Sequence, residues 1–291
     1  MATAAMTYNR AGSYAYCERL ARRAAGNFYP AFCLLPGSQR RAMCALYSFM
    51  RIADDLGDEE GTPAAKAIAL DGWQRDLDAA LQGRYSHRIH PALHHTLAAY
   101  RVPPEYLVAV IDGIRMDLAP VAYQRFDELH RYCWRVASAV GLACIHIWGF
   151  SDERAKVYAE HAGIAFQMTN ILRDLGEDAA RQRVYLPAED LERFGYTTEQ
   201  LARGERNDAF RALMKFQVER ARQYYADAGP LVPLLAPAGQ AVFLALLRTY
   251  RGLLDKIEAC DYDVFSRRVG LSRWRKLGIL LWTLPVRWGI G

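Results

Sequence analysis

Two stretches built on one pattern constrain this chain more than any other feature. The first is Tyr47-Ser-Phe-Met-Arg51-Ile-Ala-Asp54-Asp55-Leu-Gly-Asp58, the second Gln167-Met-Thr-Asn170-Ile-Leu-Arg173-Asp174-Leu-Gly-Glu177-Asp178. Asp54 and Asp58 are four residues apart, and Asn170, Asp174 and Asp178 repeat the same step. Residues three or four apart share one face of a helix, so each stretch lines up its oxygen donors on a stripe beside an arginine. Carboxylates this dense repel each other unless a cation sits among them. Hard oxygen donors at this spacing suit Mg²⁺, which keeps several waters and bridges to phosphate. A single cluster of this kind is ordinarily a solvated helix end. Two of them, about 120 residues apart, point instead to facing helices that share one multi-metal site for a diphosphate.

The rest of the chain reads as helix. Alternating β-branched runs bounded by Asn-Gly or Asp-Gly turns are nearly absent, and apolar periodicity predicts helices near 9–25, 38–57, 63–82, 91–100, 104–118, 126–149, 151–178, 207–229, 237–259 and 271–284. No Gly/Ser-rich linker breaks the run, so residues 1–291 are expected to form one all-α domain around a central cavity. With 52% hydrophobic residues a full core is within reach, and a net charge of +5 suits an anionic substrate or membrane surface but not nucleic acid. The six cysteines form no C-x-x-C pair, and the N-terminus has no basic segment followed by an apolar one. Both features fit a cytoplasmic protein with reduced thiols.

Several segments carry two readings. Gly26 and Asn27, between the first two helices, offer donors to a phosphate or simply make a turn that buries Phe28 and Phe32. The cluster His87, His90, His94 and His95 has no Cys or acid beside it, and reads as a solvated loop and helix start rather than a zinc site. Asp117 is a single acid among apolar residues. Ala137, Ser138, Ala139, Gly141 and Ala143 are small enough for close helix approach or for a ligand, and Tyr132 is either core or a hydroxyl above a cavity. Arg181 and Arg183 either neutralise diphosphate or sit in a solvated loop. Residues 271–291 mix Trp, Leu and basic residues. Their uncharged run over 277–286 is far shorter than the ~20 residues of a membrane span, which leaves a peripheral membrane contact or a final helix closing the bundle.

These motifs together resemble the squalene and phytoene synthases, the head-to-head trans-prenyltransferases, over about residues 13–277. The resemblance is carried by Leu34-Leu-Pro36, by Ala45-Leu-Tyr47 through Asp58, and by Tyr132-Cys with Val136-Ala137 and Val140-Gly141. It continues in Gln167 through Asp178, Tyr185-Leu-Pro187 and Asp263-Val-Phe-Ser-Arg267-Arg268-Val. It implies an isoprenoid-synthase helical fold with Mg²⁺, or Mn²⁺ in its place, held by Asp54, Asp58, Asn170, Asp174 and Asp178. It also implies a catalytic group of Tyr47, Arg51, Asp54, Asp55, Asp58, Tyr132, Asp174 and Asp178. Asn27, Arg51, Gln167, Arg173, Arg183, Tyr250 and Arg267 would contact the diphosphates. One departure is Ala25-Gly26-Asn27-Phe28, where many members carry a Ser-x-Ser-Phe segment.

The implied chemistry condenses two allylic prenyl diphosphates through a cyclopropyl intermediate. Diphosphate departs only where its growing charge is neutralised in a site closed to water. The allylic cation needs an apolar, aromatic cavity, for which Phe28, Phe32, Tyr47, Phe49, Tyr132, Phe166 and Tyr250 are candidates. NADPH enters only if the reaction proceeds to squalene, and no G-x-G-x-x-G after a strand is present. Residues 250–269 and the short tail look most like bacterial enzymes of the presqualene diphosphate and squalene branch, acting on farnesyl diphosphate. Phytoene synthesis from two geranylgeranyl diphosphates is the alternative; a non-catalytic prenyl-lipid-binding relative and a head-to-tail synthase are rivals. On these grounds Asp54→Ala or Asp174→Ala is expected to abolish turnover with little loss of fold. The oligomeric state stays open.

Overall fold

The computed structural model describes residues 9–289 other than Asn27. No strand occurs among them, only isolated bridges joining Ala122 to Val184 and Phe150 to Leu235. In chain order the helices are α1 (Arg10–Ala24), α2 (Phe28–Phe32), α3 (Gly37–Asp58), α4 (Pro63–Leu81), α5 (His90–Tyr100), α6 (Glu105–Met116), α7 (Phe126–Cys133), α8 (Ala139–Trp148), α9 (Ala155–Ala180), α10 (Ala188–Phe194), α11 (Thr198–Ala202), α12 (Asp208–Ala228), α13 (Pro237–Ala259) and α14 (Arg273–Thr283).

Local chemistry sets many of the ends. The Asn9, Thr62, Asn207 and Ser272 side chains accept from the first-turn amides of α1, α4, α12 and α14, which satisfies donors that have no partner within the helix. Thr197 and Gln200 form a capping box on α11. Gly149 and Gly195, with φ of 85° and 63°, close α8 and α10, as residues free to take positive φ do.

Three differences from the periodicity have physical causes. The helix expected over 126–149 is interrupted by a π turn at Trp134–Ser138. Trp134 Nε1 and Ser138 Oγ both bond to Glu160, at its carboxylate and its carbonyl respectively, and these side-chain anchors favour the wider turn there. The segment expected as helix from 151 starts only at Ala155, because Asp152 binds the Arg154 backbone amide and guanidinium and forms a local turn. The short helices α2, α10 and α11 hold too few turns to show a period.

Helix α9 lies at the centre and packs against α8, the π turn, α12 and α13. One contiguous apolar cluster runs from Cys17 to Leu271 and includes buried Phe49, Trp73, Phe210 and Phe243.

Candidate active site

The site is built where α3 and α9 face a common hollow. A cavity of about 330 Å³ is lined by both, with Asp54 of α3 and Asn170 of α9 on the same lining. From Ala159 to Asn170, α9 gives it six residues, a stretch of about 16 Å at the helical rise. Asp174 and Asp178 continue the stripe one and two turns further. Met43, Leu46, Tyr47 and Met50 of α3, Phe243, Leu246 and Tyr250 of α13, and Phe28 and Phe32 of α2 complete much of the wall. Apart from Asp54, Gln167, Asn170 and the tyrosine hydroxyls, this lining is apolar. Tyr250 stacks on Phe166 at 4.6 Å and lies 6.5 Å from Phe28 between ring centroids.

A polar recess of about 260 Å³ adjoins the cavity and shares Asp54 with it. Arg51, Asp58, Asp117, Tyr132, Arg181, Arg183 and Tyr185 line it. At its base the Tyr132 hydroxyl donates to Asp117 Oδ2 and the Tyr185 hydroxyl to Asp117 Oδ1, each at 2.8 Å. The two phenol rings stack at 5.1 Å. The 181–187 segment is held by the Val184 amide donating to the Val121 carbonyl at 3.1 Å, which sets Arg183 next to Asp117. Gly57 allows this assembly, because a Cβ there would come within 2.5 Å of Ile114 Cγ2 on α6. Without that close approach α6 would stand off and withdraw Asp117 from Asp58.

Charge is crowded here. Burial, then the neighbouring Asp58, pushes the Asp54 carboxyl up to about 7. Part of Asp54 meets solvent at the cavity mouth, yet protein surrounds it on most sides. Burial and Asp174 push Asp178 up to about 6. Burial also raises Asp117, against the two tyrosine bonds and Arg183. Asp174 goes the other way: burial raises it, but Arg173 and Arg268 outweigh burial and hold it below the usual carboxylate range. Arg173 pairs with Asp174 through both guanidinium arms, and Arg268 reaches Asp174 Oδ1 at 3.1 Å.

Among the described residues no three His, Cys, Asp or Glu side chains form a group ready to hold a metal ion. The donors are oxygens of carboxylates and one amide, set on α3 and α9, with Asp54 and Asp178 raised by burial and by neighbouring carboxylates. That arrangement fits a small divalent cation, which uses a few carboxylates and completes its shell with water and phosphate.

The residues singled out in the sequence fall in different places. Tyr47, Asp54, Gln167, Asn170 and Tyr250 line the cavity, and Arg51, Asp54, Asp58, Tyr132 and Arg183 line the recess. Asp55 stands aside from both linings and pairs with Arg51 at 2.6 Å. Arg267 is exposed, and its neighbour Arg268 is the residue that reaches the second acidic stripe. Asn27 lies outside the described residues. Asp117 and Tyr185 belong to the site although sequence reasoning gave neither a role. The signal for Asp117 was a lone acid in an apolar run, and for Tyr185 its place in the Tyr-Leu-Pro segment.

The fold and site together define an all-helical bundle in which two stripes of oxygen donors meet at one apolar hollow through Asp54 and Asn170, the architecture of enzymes that ionise prenyl diphosphates. The model of the squalene/phytoene synthase family matches residues 21–275, and the chain belongs to that family. It is therefore a prenyltransferase of the group that condenses prenyl diphosphates head to head. It is 37% identical to a 15-cis-phytoene synthase of Synechocystis sp. over 288 residues, 95% of this chain and 84% of that protein. It is 36% identical to a 15-cis-phytoene synthase of Synechococcus elongatus, covering 91% and 90%. A solved dehydrosqualene synthase superposes with a TM-score of 0.86 at 28% identity, covering 93% and 95%.

Proposed function

We propose that this enzyme joins two geranylgeranyl diphosphates head to head and releases a phytoene-type triene. The observation that carries the diphosphate chemistry is the shared cavity, where Asp54 and Asn170, from two distant stretches, stand on one apolar hollow; the head-to-head direction is supported by the family match. The choice of substrate is supported by the sequence relatives, which are named phytoene synthases. They favour the alternative that the sequence offered over its first preference, the presqualene diphosphate and squalene branch.

Asp54 and Asp58 on one side, with Asn170, Asp174 and Asp178 on the other, would hold the divalent ions, for which we propose Mg²⁺. Bound there, the metal supplies charge neutralisation to the departing diphosphate. Arg51 and Arg183 face the polar recess and add charge and donors to the same anion. The hydrocarbon tails lie in the cavity, where Phe28, Phe166 and Tyr250 exclude water and turn ring faces to a passing cation. In this reading the final cation loses a proton, so turnover is independent of NADPH.

A second reading, two farnesyl diphosphates giving a C30 product, is favoured by the likeness to the dehydrosqualene synthase structure. One experiment separates them. The purified enzyme is incubated with Mg²⁺ and either geranylgeranyl or farnesyl diphosphate, with and without NADPH, and products are identified by mass spectrometry. A C40 triene formed without NADPH from the longer substrate is expected. A C30 product made faster from farnesyl diphosphate overturns the substrate assignment, and isopentenyl diphosphate incorporation overturns the head-to-head assignment.

A further inference from the structure

The large apolar side chains left exposed among the described residues are unevenly placed. Trp274, Leu277, Leu281, Trp282 and Trp288 lie on α14 and the short turn after it, whereas Ile68, Tyr85 and Val157 are scattered elsewhere. Trp274, Leu277 and Leu281 follow three- and four-residue steps and so share one face of α14. The opposite face is fixed to the bundle. Thr283 is fully buried, Ile279 and Leu280 pack on the core, and the Arg248 guanidinium stacks over Trp282. The helix is thus held by its inner face while its outer face remains apolar and open.

The charge along this terminal segment has one sign. From Val264 to Gly291 the chain carries Arg267, Arg268, Arg273, Arg275, Lys276 and Arg287 and no Asp or Glu. No helix among the described residues is long and apolar enough to cross a membrane. An apolar stripe with Trp and Leu, flanked by arginines and too short to span, has the composition of a helix that lies in the headgroup boundary of a bilayer.

We propose that α14 docks this enzyme on an anionic lipid surface, with Trp274, Leu277 and Leu281 entering the headgroup boundary and Arg273 and Arg287 meeting the lipid phosphates. A second copy of the chain is the poorer occupant. A two-fold contact through this face would bring the same arginines together, a like-charge cost with no acid on the tail to relieve it. The placement also connects to the site, because α14 packs on α13 and α13 carries cavity residues Phe243, Leu246 and Tyr250. The wall that backs the hydrocarbon cavity would face the bilayer.

The test is flotation of the full-length protein with phosphatidylcholine vesicles made with and without phosphatidylglycerol. Binding to the anionic vesicles is expected, weakening as salt rises. Arg273→Gln should weaken it roughly fivefold, the contribution of one basic side chain near an anionic surface. Trp274→Ser/Leu277→Ser/Leu281→Ser should weaken it at least tenfold, because the apolar burial is lost. All three residues are exposed, so thermal melting and activity in detergent should match the parent and show that the variant folds. Equal binding to both vesicle types, no binding to either, or undiminished binding of the triple variant overturns the proposal. Self-association that the triple variant abolishes, without vesicle binding, assigns the face to a second copy and overturns it as well.

Discussion

Gly163 of α9 lies so close to Ser138 of the π turn that a Cβ on the glycine would stand 2.5 Å from the Ser138 backbone nitrogen. Both helices line the cavity at this crossing, through Ala162 and Phe166 on one side and Ala137 and Gly141 on the other. The contact therefore holds the cavity wall as well as the fold. Gly163→Ala is expected to cost about 1–3 kcal/mol, as overpacking does, and to lower the midpoint of thermal unfolding by several degrees. An unchanged midpoint would mean that the π turn gives way freely.

Asp54 and Asp174 occupy matching places on their stripes but differ in support. Asp54 is raised to about 7 by burial and then by Asp58, whereas Asp174 is gripped by Arg173 and Arg268. Both Asp→Ala variants should lose turnover. Without metal, Asp54→Ala should be at least as stable as the parent, while Asp174→Ala should lose on the order of 2 kcal/mol because it leaves the mostly buried Arg173 without its carboxylate. The Asp174→Ala figure departs from the expectation of little loss of fold in both variants. Urea unfolding in the presence of a chelator reads the difference.

Asp117 accepts from both Tyr132 and Tyr185, so the three should behave as one unit. Tyr132→Phe and Tyr185→Phe are each expected to cost about 1 kcal/mol, and Asp117→Ala more, since it removes the acceptor of both buried hydroxyls and leaves them only their 3.4 Å contact with each other. In a double-mutant cycle, Asp117→Ala combined with either phenylalanine should cost less than the sum of the singles. Additive losses would show that the carboxylate holds neither ring.

Burial, with some help from His87, lowers His90 to about 4. Its Nδ1 accepts from the backbone amides of Ser86 and His87. Unfolded histidine titrates near 6.5, so below that pH the unfolded chain binds a proton the native one refuses. The contribution of His90 to stability should therefore fall as pH drops from about 6.5 to about 4, by up to about 3 kcal/mol, while the raised carboxyls of Asp54 and Asp178 work in the opposite direction over the same range. His87 and His146, also lowered by burial, add in the same direction as His90. Unfolding of the parent and of His90→Gln across this range should show the stability difference shifting in the variant's favour as pH falls, and a constant difference contradicts the assignment to His90.

The stripes were legible because helical spacing alone aligns Asp54 with Asp58 and Asn170 with Asp174 and Asp178. The repeated pattern also pointed to a shared cavity, on which the structure places Asp54 and Asn170. Contacts set by loops were not legible. Arg267 and Arg268 are neighbours in sequence, and only the backbone path after Tyr262 decides which one reaches Asp174. Asp117 joins tyrosines 15 and 68 residues away, a distance that no local period encodes. The π turn was hidden because its cause, the anchoring to Glu160, lies on another helix. Substrate length was hidden as well, since Trp148, Leu231 and Phe243 line the cavity from three separate elements.

The central claim is that the α3 and α9 stripes grip one diphosphate site across a single apolar cavity. Its most direct test is a crystal structure with Mg²⁺ and a non-hydrolysable prenyl thiodiphosphate. The account predicts metal density between Asp54 and Asp58 on one side and Asn170, Asp174 and Asp178 on the other, with the prenyl tail between Phe166 and Val140. Metal bound to only one stripe, or a tail lying outside that cavity, would contradict it.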